Sequence, residues 1–213
     1  SRYTRRGEWE YRKMVGYLEL SLEKQTGNYM IFFPSYEMLS AVYEIARDSN
    51  LALVSEFVVQ EPFMEEKSRE DFLGKFRRKA GKPLIGFCVL GSIFSEGIDL
   101  TGESLIGVLI VGTGLPQICN EREVIREYFD RQQKKGYDYA YRYPGMNKVL
   151  QAAGRVIRTA QDTGTILLMD ERFLERENQK LFPEEWDSYY GVNRQNYGTV
   201  LKDFWEERRR EES

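Results

Sequence analysis

The sequence contains no histidine and only two cysteines, and its 31 Lys and Arg nearly balance its 34 Asp and Glu. Each scarcity removes a class of function. Without histidine there is no Ser-His or Cys-His nucleophile pair and none of the common zinc hydrolase motifs, so any chemistry falls to arginine and carboxylates. Cys88 and Cys119 make neither a disulfide framework nor a metal-ligand set. The expectation for both is a buried free thiol in a reducing cytoplasm. A net charge of -3 provides no global basic field for nucleic acid or an anionic membrane, so any nucleic-acid contact must be local. No apolar run approaches the roughly 20 residues of a membrane span. The start, Ser1-Arg2-Tyr3-Thr4-Arg5-Arg6, leads into no signal-peptide apolar region. It reads as a cut into a longer cytoplasmic protein, and residues 206–213 read as a solvated end.

What is present is ample for a folded core: 213 residues, 41% apolar and 14% aromatic. A helix is predicted over residues 8–24, stopped by Gly27. Short apolar runs at 29–33, 57–59, 84–90, 105–111 and 165–169 read as strands, nearly all apolar as expected for parallel strands covered on both faces. Helical patterns fall between them, at about 36–48, 68–79 and 121–135, the last with Val124, Ile125, Tyr128 and Phe129 as its inner face. Residues 171–178 and 194–209 also read as helical. Alternating strand and helix predicts a three-layer α/β domain with a mainly parallel sheet. No linker or repeat divides it, so 1–213 is expected to be a single domain, with a core over about 10–190 and a helical extension over about 191–213.

The most informative stretch is Gln151-Ala152-Ala153-Gly154-Arg155-Val156-Ile157-Arg158. On a helix, Gln151, Arg155 and Arg158 share one stripe at i, i+4 and i+7, while Val156 and Ile157 face the core. Paired guanidiniums on one stripe suit a phosphate. A solvated face with surface arginines fits the spacing equally well. Two loops at strand ends, Gly91 to Leu100 and Gly112-Thr113-Gly114-Leu115-Pro116, lie where open α/β sheets bind ligands. The run Tyr137-Asp138-Tyr139-Ala140-Tyr141-Arg142-Tyr143 offers rings either for stacking bases or, more commonly, for packing between helices.

Familiar phosphate motifs are absent. Gly81-Lys82-Pro83 lacks the earlier glycine and following hydroxyl of a Walker A loop. Met169-Asp170-Glu171 imitates the acidic pair of an ATPase but, without that loop, reads as a structural turn. Gly112-Thr113-Gly114 is too short for a dinucleotide fingerprint.

Taken in order, Tyr29-Met30-Ile31-Phe32-Phe33-Pro34-Ser35-Tyr36, Ser95-Glu96-Gly97-Ile98-Asp99, Ile110-Val111-Gly112-Thr113-Gly114-Leu115-Pro116, Gln151 to Arg158, and Asp170-Glu171-Arg172-Phe173 resemble the C-terminal motor domain of DinG/XPD-type superfamily 2 DNA helicases. The resemblance covers residues 10 to 190. It implies a RecA-like fold that lacks its own Walker A loop and faces ATP held by a first domain. Arg155 and Arg158 are then expected to be arginine fingers, with Gln151 placing the nucleotide or its attacking water. Glu96, Gly97 and Asp99 match the motif that couples the nucleotide to the bound strand, and Asp99 is a candidate for a ribose hydroxyl. Ser35, Tyr36, Ser92, Thr113 and Arg142 are the candidate contacts to single-stranded DNA. The implied cofactors are ATP and Mg2+, shared with the N-terminal helicase domain of the same polypeptide. Family members commonly carry an iron-sulfur cluster on four cysteines of that first domain, a set this chain does not contain. The alternative is a freestanding nucleic-acid-binding or interaction module that keeps the helicase fold without the motor.

Overall fold

The computed structural model describes residues 7–77, 81–95, 105–157 and 162–211. A five-stranded, all-parallel sheet runs in the order β2-β3-β1-β4-β5, built from β1 (Tyr29–Phe33), β2 (Glu56–Val59), β3 (Leu84–Val89), β4 (Gly107–Val111) and β5 (Thr165–Met169). All five residues of β1 and all five of β4 are buried, which explains their unbroken apolar sequence: strands at the centre of a parallel sheet meet a helix layer on each face.

The twofold alternation of the strands sorts the core into two halves. Tyr29, Ile31 and Phe33 join Ile85, Phe87, Leu109 and Val111 beneath α1 (Glu8–Lys24), α2 (Tyr36–Arg47) and the final helix, α8 (Tyr197–Glu211). Met30 and Phe32 join Leu84, Cys88, Val108 and Ile110 beneath α4 (Glu66–Arg77) and α6 (Tyr143–Ala153). Between these lie the one-turn α3 (Leu51–Val54), then α5 (Asn120–Gln133) and the four-residue α7 (Arg176–Gln179). The last helix is integral to the first layer, burying Tyr197, Leu201 and Trp205 against the core.

Three expectations change. The apolar stripe of α5 is not an inner face: Val124 is 67% and Tyr128 58% exposed, and no residue of this helix is buried. The helix stands off the sheet, fastened at one side by Phe129 stacked on Tyr139 at 3.9 Å and by Arg122 Nη1 donating to the Ala140 carbonyl at 2.7 Å. Cys88 is buried as expected, but Cys119 is exposed at the start of α5. Finally, α6 stops at Ala153, so Arg155 lies beyond the helix rather than on it.

The aromatic run 137–143 packs among helices. Residues Asp138–Arg142 form a π-helical turn, and Tyr137 meets Tyr141 at 5.6 Å and Tyr139 meets Tyr143 at 5.1 Å between ring centroids. The Met169-Asp170-Glu171 turn is structural as expected: Asp170 caps the following turn through the Arg172 N–H and accepts a two-point fork from the Arg172 guanidinium, 2.8 Å at each contact.

Candidate functional site

Helix α6 separates two groups of candidate residues. Its first turn carries Pro144, which needs no N–H partner there, and packs directly under the loop that follows β4. A Cβ on Gly145 would stand 2.6 Å from the Thr113 carbonyl oxygen, and one on Gly114, whose φ is +67°, would stand 2.5 Å from the Gly145 carbonyl oxygen. Glycine at both positions lets backbone meet backbone. At the far end, Val156 is buried beside Gly164 and Ile106, which precede β5 and β4. The two ends are the helix length apart, about 16 Å for its 11 residues.

At this far end Gly154 closes the last α-helical bond, to Leu150 at 2.9 Å. The next bonds, Arg155 N–H to Ala152 and Val156 N–H to Ala153, span three residues, so the chain tightens to about three residues per turn. At this tightened turn Val156 is docked into the core. The tightening takes Arg155 off the straight stripe with Gln151 and leaves Ile157 exposed rather than buried. Arg155 still reaches back, its Nε donating to the Gln151 carbonyl at 3.2 Å, while the Gln151 side chain is exposed. Arg158, Glu96, Gly97 and Asp99 lie outside the described residues.

The upper group sits where β3, β1 and β4 end side by side, over a span of roughly 10 Å. Ser35 caps α2, its hydroxyl oxygen accepting the Met38 N–H at 3.3 Å, while the Tyr36 and Glu37 N–H groups have no carbonyl partner within the helix. Tyr36 and Ser92 are joined through Gln60, which is 3% exposed. Gln60 Nε2 donates to the Tyr36 hydroxyl at 2.8 Å, while Gln60 Oε1 accepts from Val89 N and Ser92 Oγ, each at 2.9 Å. Burial raises the Tyr36 phenol above its ordinary pKa, and the bond donated by Gln60 acts the other way.

Three candidate contacts are occupied or enclosed. The Ser92 hydroxyl proton points at Gln60. Thr113 is 5% exposed and its hydroxyl is shut off from solvent, which removes that side chain from the open surface. Arg142 is engaged with Asp138 and lies 5.4 Å from the Tyr137 ring centroid, which removes it from the open surface. The sequence reading passed over Lys148, half-buried on α6, whose alkyl arm crosses Gly91 with Nζ 3.2 Å from where a Cβ would stand. A lysine in the middle of an amphipathic helix carries no sequence mark of its own; only the fold brings it to the edge of β3.

The family model described as "Helicase C-terminal domain" matches residues 18–189. The chain belongs to that family. It is a C-terminal domain of the DinG/XPD type of superfamily 2 helicases. Among curated relatives, the regulator of telomere elongation helicase 1 homolog of Anopheles gambiae is 30% identical over 94% of this chain and 22% of its own length. The human regulator of telomere elongation helicase 1 is 29% identical over 82% of this chain and 15% of its own. A probable ATP-dependent helicase of Methanocaldococcus jannaschii is 27% identical over 71% of this chain and 24% of its own. The chain thus spans about a fifth of the length of the first of these relatives. In fold, this helicase domain matches a solved XPD helicase with a TM-score of 0.65 at 20% identity, covering 84% of this chain and 31% of that one. It also matches the C-terminal domain of the DEAD-box protein Dbp5, with a TM-score of 0.52 at 14% identity, covering 91% and 90%.

The helicase domain also holds a cavity beside β5. It is a groove of about 730 Å³ along the outer edge of β5, walled by Phe182, Trp186, Tyr189 and α8. Its wall is largely apolar and aromatic, with Lys13, Thr165, Ser188 and several tyrosines also among its lining.

Proposed function

We propose that this chain is the second motor domain of an ATP-dependent DNA helicase, working on ATP held by an N-terminal helicase domain of the same polypeptide and gripping single-stranded DNA. The observation that carries the reading is the division of labour along α6. A guanidinium and an amide stand at its carboxyl end, while hydroxyls, the α2 N-terminus and Lys148, from the middle of α6, gather along the carboxyl edge of the sheet.

Phosphoryl transfer is catalysed by positioning and by cations near the developing charge, and a guanidinium delivered by a second body accelerates it by several powers of ten. Arg155 and Arg158 fit that role, and Gln151 fits one of orienting the nucleotide or the attacking water. ATP supplies the phosphoryl group when bound. By the family resemblance, the Mg2+ that accompanies ATP would be shared with the N-terminal domain. An iron-sulfur cluster likewise belongs there if the parent carries one, because buried Cys88 and exposed Cys119 do not make a four-cysteine set. Glu96, Gly97 and Asp99, which come after Ser95 in the sequence, suit a role in coupling the two ends.

Strand binding draws on the α2 N-terminus with Ser35 and Tyr36, the peptide groups around Thr113, and Lys148. These are backbone contacts, compatible with sequence-independent binding and a slightly acidic chain. The test is ATP hydrolysis by the purified 213-residue chain with single-stranded DNA present. The expected rate is background. Substantial hydrolysis that survives Arg155→Ala overturns the assignment.

A further inference from the structure

Gln60 sits immediately after β2 and makes four hydrogen bonds. Its backbone N–H donates to the Phe87 carbonyl at 2.8 Å, which fastens the strand end to β3. The side chain makes the other three. The orientation of its amide is fixed by its surroundings. The Val89 N–H can only donate, so the group facing it must be Oε1, and Nε2 is therefore the atom that faces Tyr36.

Two consequences follow for the hydroxyls. The Tyr36 oxygen accepts from Gln60, so its own proton turns away from the buried amide. The single acceptor it meets among the described residues is the Glu61 carbonyl at 3.5 Å, the outer limit of a hydrogen bond. Ser92 is the reverse case. Gln60 Oε1 only accepts, so Ser92 must donate to it, and the Ser92 oxygen is left to accept the Phe94 N–H at 3.4 Å. A phosphodiester oxygen accepts and never donates. Of these two hydroxyls, only Tyr36 presents the matching proton.

We propose that Gln60 is a positioning residue for strand binding: it directs the Tyr36 hydroxyl outward as a proton donor to a backbone phosphate and holds Ser92 turned inward. This rests on the reading of the sheet's carboxyl edge as a surface for single-stranded nucleic acid. The ligand chemistry is the phosphodiester, with no base contact required.

Gln60→Glu tests the proposal, because a carboxylate keeps the shape and still accepts from Val89 and Ser92 but draws the Tyr36 proton inward. Binding of fluorescein-labelled oligothymidylate to the 213-residue chain is measured for the parent sequence, Gln60→Glu, Tyr36→Phe and the double variant. The expected result is about a tenfold loss for each single change, the worth of one charge-assisted bond, and no further loss in the double variant. NMR titration of Tyr36 should also show its pKa raised further in Gln60→Glu, since the phenol would then share its proton with a carboxylate. Meta-fluorotyrosine at position 36, a stronger donor, tightens binding without altering Gln60, so the idea stays testable if Gln60→Glu does not fold. Losses that add in the double variant, a Gln60→Glu chain that binds as well as the parent, or weaker binding with the fluorinated ring each overturn the role of Gln60 while leaving strand binding intact. A parent chain that does not bind the probe removes the strand-binding reading, and this inference with it.

Discussion

The carbonyl oxygen of Thr113 lies 2.6 Å from the point where a Cβ on Gly145 would stand, so the loop after β4 and the first turn of α6 are in backbone contact. Neither side of that contact is a flexible side chain that can swing away. Gly145→Ala must therefore push the loop off the helix, and we expect a loss of about 1–3 kcal/mol, read from the urea midpoint. Strand binding should weaken in parallel. An unchanged midpoint would mean that the loop is free to move and that its coupling to α6 is weak.

The Asp170 carboxylate is fully enclosed and forked by Arg172, with two contacts at 2.8 Å. Arg172→Ala leaves a buried carboxylate short of its main cation, and a destabilisation of about 2–3 kcal/mol is expected. Adding Asp170→Asn should recover part of that loss, since the charge is gone with its partner. Thermal melts of the two variants check this, and no recovery in the double variant would show that Arg172 acts through packing.

Lys148 should matter to nucleic acid and little to the fold. Lys148→Gln keeps most of the alkyl arm over Gly91 but removes the charge. Affinity for oligothymidylate should fall, and the slope of log affinity against log salt should shrink by about 0.7, the release of one counterion from a single strand. An unaltered slope would mean that the ammonium does not neutralise a phosphate.

The exposed stripe of α5 predicts the opposite of a core helix. Val124→Asp should change stability by no more than about 0.5 kcal/mol, because Val124 is already in water. A loss of several kcal/mol in chemical denaturation would restore the inner-face reading.

The sequence was most readable where burial alone decides structure. Tyr29–Phe33 was bounded correctly because a parallel strand covered on both faces has no polar position to blur its ends, and Thr165–Met169, a partly buried edge strand, because an unbroken apolar run lies between Thr165 and Asp170. Residues 8–24 were readable because an amphipathic stripe runs into Gly27. The same reasoning misjudged α5, since periodicity reports that a helix has an apolar face but not that anything covers it. The site was half legible. Ser35 and Tyr36 follow from a strand running into a helix cap, whereas the helical stripe of Gln151, Arg155 and Arg158 assumed that α6 continues. That assumption failed at Gly154, where the turn tightens and Val156 is docked into the core. Gln60 was invisible because its importance lies wholly in three partners at positions 36, 89 and 92, distant in sequence.

In the proposed motor, the carboxyl end of α6 acts on a nucleotide held by another domain. The most direct test is steady-state ATP hydrolysis by the intact parent protein carrying Arg155→Ala, with single-stranded DNA at saturation and DNA affinity measured alongside. The account predicts a fall of roughly 10³-fold or more in rate with DNA affinity unchanged, the signature of a lost transition-state cation. A rate within a few-fold of the parent would contradict it, and so would an equal loss of hydrolysis and DNA binding.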